Sequence, residues 1–204
     1  MMRFVRPLHP FLRDGFRAGE GKFMTAEEKR GRTLRFAGPL FILTAAVLVA
    51  VDQITKYAAV VYLKGKDAAV LIKNVLELRY LENSGAAWGM LQNRQWIFAL
   101  ITIAFLSVIA FFMAKIPKTA YYRPLMLTLA VLCAGAVGNF IDRIRQSYVV
   151  DFIYFKIIDF PVFNVADICV TLSVIALLIL ILFHYKDKDF NFVRRTDGNE
   201  EHKD

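Results

Sequence analysis

Residues 37–62 read AGPLFILTAAVLVAVDQITKYAAVVY, and this stretch decides the fold class. At about 1.5 Å per residue a helix of this length crosses the roughly 30 Å hydrocarbon core of a bilayer. The apolar run is longer than the core of a secretory signal, and its outer half carries Asp52 and Lys56. It is therefore expected to remain in the mature protein as a first span. Asp52 and Lys56 lie four residues apart on one helical face, which suits an ion pair. The same pair could equally fix the outer end of the helix beside a polar cavity.

Three further apolar segments follow, at about residues 96–116, 124–141 and 166–185. The third is short and rich in small residues (Ala134, Gly135, Ala136, Gly138) that let another helix approach closely. A hydrophobic fraction of 57% and a mean hydropathy of +0.44 are too high for a soluble domain of 204 residues. The fold class is thus an all-α polytopic membrane protein with four transmembrane helices. One connecting segment is different. In residues 74–82, Leu76, Leu78 and Tyr80 alternate with Glu77, Arg79 and Leu81, the pattern of a half-buried strand. This predicts a small extracytoplasmic β-sheet lying on the membrane. The turn after it contains Gly85, which allows close backbone approach, and Trp88, which suits the interface.

Charge divides the chain into three parts. Residues 1–36 hold nine Lys/Arg against four Asp/Glu, a surplus of 5, and read as a basic extension in which Met24 is an alternative start. Residues 37–185 form the four-span domain, and residues 186–204 a polar tail. A basic flank before a first span points to membrane lipids rather than nucleic acid, because no folded basic module accompanies it. Termini in the cytoplasm put Arg30, Arg32, Arg35, Lys115, Lys118, Arg123, Lys186 and Lys188 inside, against Lys64, Lys66, Arg94, Arg143 and Arg145 outside. Both termini are expected to be cytoplasmic, with the polar motifs near the outer surface.

Those motifs centre on two acids in apolar settings, Asp151 in Val149-Val150-Asp151-Phe152-Ile153 and Asp167 in Phe163-Asn164-Val165-Ala166-Asp167-Ile168. Each sits at the edge of a span, where an ionisable group costs about 2.5–3.5 kcal/mol on insertion scales and usually marks function. Two such carboxyls share one proton when brought together, giving a base and an acid near neutral pH. Singly, Asp151 reads as well as a loop acid and Asp167 as a helix N-terminal charge. Asn139, Asp142 and Arg143 close the third span, either as a polar helix end or as donors that orient a carboxylate or a substrate carbonyl. Asp159 reads as an ordinary exposed loop acid. Cys133 and Cys169 fall in apolar segments and read as packing residues. The histidines His9, His184 and His202 all fall on the expected inner side, so an outer Ser-His, Cys-His or His-based zinc site lacks its groups. A Ser-Lys arrangement through Ser84 or Ser147 with Lys56 stays formally open.

Five motifs in order carry a resemblance to a known family. They are Val51-Asp52-Gln53-Ile54-Thr55-Lys56, Glu82-Asn83-Ser84-Gly85-Ala86-Ala87-Trp88-Gly89, Gly138-Asn139-Phe140-Ile141-Asp142-Arg143, Val149-Val150-Asp151-Phe152 and Phe163-Asn164-Val165-Ala166-Asp167. Together they resemble the lipoprotein signal peptidases (signal peptidase II) across the whole membrane region. The resemblance implies a bacterial inner-membrane aspartyl endopeptidase. Such an enzyme removes the signal peptide from diacylglyceryl-modified prolipoproteins by cutting before the lipidated cysteine. It implies Asp151 and Asp167 as the catalytic pair, with Asn139, Arg143 and Asn164 supporting the pair or holding substrate. Asp52, Lys56, Asn83 and Gly85 match further positions lining the site. It also implies a membrane-surface helix beside the sheet. The extension at residues 1–36 is longer and more basic than the family's usual start.

The expected chemistry is general acid–base hydrolysis without a covalent intermediate, a metal or a cofactor, and one chain supplies every group, so a monomer suffices. The alternatives are a proton-coupled carrier, which would face its acids at the bilayer midplane, and a non-enzymatic assembly protein in which Asp52–Lys56 and Asp142–Arg143 are structural pairs.

Overall fold

A computed structural model describes residues 37–85 and 95–194. The expectations for residues 1–36, Met24, Trp88 and the tail beyond residue 194 lie outside the described residues. So do Arg94 and the centre of the Gly85–Gly89 turn.

Among the described residues, four helices are long and apolar enough to cross a membrane, as the hydropathy predicts. Helix α1 covers Ala37–Leu63, α2 covers Gln95–Lys115, α3 covers Arg123–Gln146, and α4 covers Val165–Ile179, continuing as a wider π turn through His184. Their outward residues are apolar and exposed, among them Ile42 and Leu182 at 67% and 69%. Such side chains are stable there only against lipid, which is as apolar as they are.

Helix α3 is the axis of the bundle. It is the most enclosed span, touching α1, α2 and α4. The small residues foreseen in it explain this. A Cβ on Gly135 would lie 2.5 Å from the Ala166 carbonyl oxygen, and one on Gly138 would lie 2.6 Å from Asp52 Oδ2. Both distances are far inside van der Waals contact, so glycine sets how closely α4 and α1 approach. The helix is also longer than expected. It runs past Asp142 and Arg143 to Gln146 and ends at Ser147 in the left-handed conformation, φ 64°. The sequence reading stopped at residue 141 because hydropathy falls there. The helix continues because Asp142 has internal partners.

Three strands, β1 (Ala69–Ile72), β2 (Leu76–Asn83) and β3 (Val149–Phe155), form an antiparallel sheet in that order. The alternating stretch is β2, as predicted, with Leu76, Leu78 and Tyr80 half-buried. One of its polar positions is a surprise: Glu77 is buried, its Oε1 2.6 Å from Lys156 Nζ. Ala59, Val150 and Phe152 make a small core, with Leu63, Leu78 and Tyr80 packed against it, and seat the sheet on the end of α1. β1 and β3 were not read from the sequence. Asp151 therefore lies on a strand, not at the end of a span as expected. Val149 to Phe152 are fully enclosed, and a continuous apolar run gives no alternation to read. No membrane-surface helix is seen among the described residues.

Candidate active site

Two backbone devices bring the polar motifs together. The first is a bulge between β2 and β3. Leu78 pairs with Ile153 but Leu81 pairs with Asp151, so β2 carries an extra residue over that interval. Strict alternation would put Leu78 and Asn83 on opposite faces; the extra residue puts Asn83 on the face of Asp151. Asn83 Nδ2 donates to Asp151 Oδ2 at 2.8 Å, and Asn83 Oδ1 is fixed by the Gly85 N–H at 3.1 Å. The second device is the return of the chain along the far edge of β3. Phe163 exchanges backbone hydrogen bonds with Ile153 at 2.8 and 3.0 Å, and the next residue, Asn164, caps α4 beside Asp151.

Asn164 is completely buried and joins three elements. Its Oδ1 accepts the Asp167 N–H at 3.0 Å, while the Asp167 carboxylate accepts the Asn164 N–H at 3.1 Å, a reciprocal capping box. Its Nδ2 donates to Asp151 Oδ1 at 2.6 Å and to Asn139 Oδ1 at 3.1 Å. Asn139 in turn donates to Asp167 Oδ1 at 2.8 Å. Two amides thus bridge the two carboxylates, and both acids line one cavity of about 460 Å³. Burial, then the charge of Asp167, pushes the Asp151 carboxyl up to about 7; the donors Asn83 and Asn164 and the Lys56 ammonium oppose this.

A buried charge cluster supports the bridge from behind. Lys56 Nζ lies 2.9 Å from Asp52, 3.1 Å from Asp142 and 2.9 Å from Asn139 Oδ1, so its three N–H bonds are all engaged. These contacts take up the ammonium that a Ser-Lys pair would need. The predicted i,i+4 pair is present, but Lys56 also takes Asp142, which the assembly-protein reading gave to Arg143. Both acids also hold backbone. Asp52 Oδ1 accepts the Ala166 N–H at 2.9 Å, and Asp142 Oδ2 accepts the Val150 N–H at 3.1 Å. The cluster therefore fixes the start of α4 and the start of β3, the two segments bearing Asp167 and Asp151.

Arg143 is placed differently. Its guanidinium stacks over Phe98 of α2 at 4.8 Å, its Nη1 donates to Asn139 O at 3.5 Å, and among the described residues its buried Nε has no hydrogen-bond partner. It lines the cavity with Asp151 and Asp167. The cavity wall beyond them is apolar, with Phe155, Phe163, Ile168 and Leu172, and Leu172 on α4 is 59% exposed on the bundle surface. The space runs from two acids toward the flank that faces lipid.

All ten residues singled out in the sequence are gathered here, eight in the hydrogen-bond network and Gly85 and Arg143 at its rim. Gln53 was missed as a site residue. Its Nε2 lies 3.1 Å from both Asp52 Oδ2 and Asp142 Oδ1 and 3.2 Å from Gly138 O, tying α1 to α3. Its place beside Asp52, three residues before Lys56, was the available signal. Phe98 and the backbone N–H groups of Val150 and Ala166 carried none. Asp159 is exposed, as expected, and accepts the Tyr154 hydroxyl at 2.5 Å.

The family model for "Signal peptidase (SPase) II" matches residues 44–183. The chain belongs to the signal peptidase II family. Lipoprotein signal peptidases of Streptococcus pyogenes serotypes M1 and M5 (strain Manfredo) are 38% and 37% identical to it over 151 residues, 74% of this chain and 96% of each relative. A bacterial membrane enzyme solved by the in meso method at 1.9 Å is 37% identical with a TM-score of 0.65, covering 72% of this chain and 96% of that one. A second such structure, at 2.3 Å, is 34% identical with the same TM-score over 79% of this chain and 94% of that one. Membership makes the protein a multi-pass bacterial membrane enzyme and an aspartic endopeptidase of the signal peptidase II type.

Proposed function

We propose that Asp151 and Asp167 are the catalytic pair of this signal peptidase, acting on prolipoproteins whose cysteine already carries diacylglycerol. The supporting observation is the amide-bridged pair of carboxyls in one cavity, with Asp151 raised to about 7. At that value one proton is shared near neutral pH. The ionised carboxylate takes a proton from a water that attacks the scissile carbonyl. The protonated partner donates to the carbonyl oxygen and then assists the leaving amine. Arg143 Nε, buried and without a hydrogen bond among the described residues, is the donor for the developing oxyanion. Asn139, Asn164, Asn83 and Gly85 orient the pair, and Asp52, Lys56, Asp142 and Gln53 hold the backbone that carries it.

The apolar wall along α4 suits acyl chains that stay in lipid while the peptide enters the polar end. Residues 37–185 supply every proposed group, so we assign the activity to a monomer in the bacterial inner membrane. Residues 1–36 and 186–204 then form a basic extension and a polar tail, both cytoplasmic, with the pair near the outer surface.

The test is cleavage of a diacylglyceryl-modified precursor by purified, reconstituted protein. Asp151→Asn and Asp167→Asn should each lower turnover by about 10²–10⁴ or more, the scale of a lost general acid or base, while insertion into membranes is unchanged. Processing by either variant at the parental rate would remove the dyad.

A further inference from the structure

At the end of the bundle away from the two acids, the described chain forms a second cavity of about 680 Å³. Helix α2 ends at Lys115, and residues 116–119 turn into the start of α3. After α4 the chain folds back through a 3₁₀ turn, Asp187–Phe190, and one helical turn, Asn191–Arg194. Asp189 pins this fold-back. The Tyr121 hydroxyl donates to its Oδ2 at 2.9 Å, and the Tyr122 hydroxyl donates to its backbone oxygen at 2.7 Å. The cavity lies between the turn and the fold-back.

Among the described residues, three groups around it lack partners. Thr119 is 9% exposed, and its Oγ1 is buried with no hydrogen bond. Native proteins rarely keep such a hydroxyl unsatisfied without a reason. Lys115 and Lys188 also line the cavity, and among the described residues neither has an ion-pair partner. Lys118, between them in the chain, differs: its ammonium is bonded to the Met113 carbonyl.

We propose that this cavity binds the headgroup of a membrane phospholipid. The phosphodiester sits between the Lys115 and Lys188 ammonium groups and accepts the Thr119 hydroxyl. The Asp189 carboxylate receives a donor on the headgroup itself, an ammonium or a hydroxyl. Position and charge both favour lipid over free phosphate. Lys115 closes one span and Ala120 opens the next, so the cavity is at headgroup depth, beside Tyr121, Tyr122 and Tyr185 rings of the kind enriched at membrane interfaces. A free phosphate carries more negative charge than a phosphodiester and no cationic group, so the Asp189 carboxylate repels it more strongly than it repels a lipid headgroup bearing an ammonium. Bound lipid would tie the end of α2, the start of α3 and the chain after α4 into one unit, independently of the peptidase reading.

The test is native mass spectrometry of the full chain, delipidated in detergent and titrated with dilauroyl phosphatidylethanolamine, with inorganic phosphate as a parallel arm. The parent should retain one lipid. Thr119→Val should weaken retention about tenfold, as loss of a hydrogen bond to a charged group does, whereas Thr119→Ser should hold the lipid like the parent. Lys115→Gln and Lys188→Gln should each weaken it roughly fivefold, with precursor cleavage intact as the check on folding. Should Thr119→Val misfold, the two lysine variants decide. Equal retention by parent and lysine variants would overturn the site. Displacement of the lipid by millimolar inorganic phosphate would overturn its assignment to lipid.

Discussion

The Asn164 side chain donates to Asp151 Oδ1 across 2.6 Å with its nitrogen, while its oxygen caps the helix that carries Asp167. One amide thus fixes the orientation of one acid and the helix start of the other. Asn164→Ala should lose about 1 kcal/mol with the cap and at least tenfold in turnover. Asn164→Asp keeps the cap but sets an acceptor against Asp151, so it should keep more stability than activity. Thermal unfolding in detergent measured beside precursor cleavage separates the two effects. An alanine variant of full activity would remove Asn164 from the site.

Activity should decline as pH rises through about 7. Asp151 carries its proton below that value, and the shared proton is lost above it. The same shift sets a stability slope. The carboxyl is raised from an ordinary 3.8, so the native state holds the proton more tightly than the unfolded chain. The resulting stability is complete below pH about 4 and is lost as pH rises through about 7. A pH series of melting temperatures should show this slope in the parent and a flatter one in Asp151→Asn. Parallel slopes would place the raised group elsewhere.

Lys56 pairs with two buried acids at once. Lys56→Met should cost about 3–5 kcal/mol, because it leaves Asp52 and Asp142 charged and unpaired. Adding Asp142→Asn should restore part of that loss. A double variant no more stable than the single one would mean that the repulsion is not the cause.

Gly138 is the contact point of α3 with Asp52. In Gly138→Ala the new carbon would meet Asp52 Oδ2 at 2.6 Å, and overpacking of this kind costs about 1–3 kcal/mol. Asp52 also holds the Ala166 N–H at the start of α4, so precursor cleavage should fall with the melting temperature. Gly135→Ala meets a backbone oxygen instead, at 2.5 Å, and should be the more destabilising of the two. A Gly138→Ala enzyme with parental melting and turnover would show that α1 can move away freely.

The spans were legible because hydropathy over 20 residues is a sum, insensitive to any one side chain. Their ends were less so. Helix α3 runs five residues past its expected end because Asp142 is paired with Lys56, 86 positions earlier in the chain. Strand β2 showed its alternation, but β3 did not, since both its faces are covered at Val149 to Phe152.

The amino-acid order alone determined four spans, an alternating strand and the residue types of an aspartic site, because these follow from transfer free energy and from the cost of charge in an apolar setting. It did not determine how the acids are held. The bulge that turns Asn83 toward Asp151, the Phe163–Ile153 pairing that delivers Asn164, and the closeness that Gly138 permits are relations between distant segments. Each depends on where another element stops, and only the packed bundle and its sheet decide that.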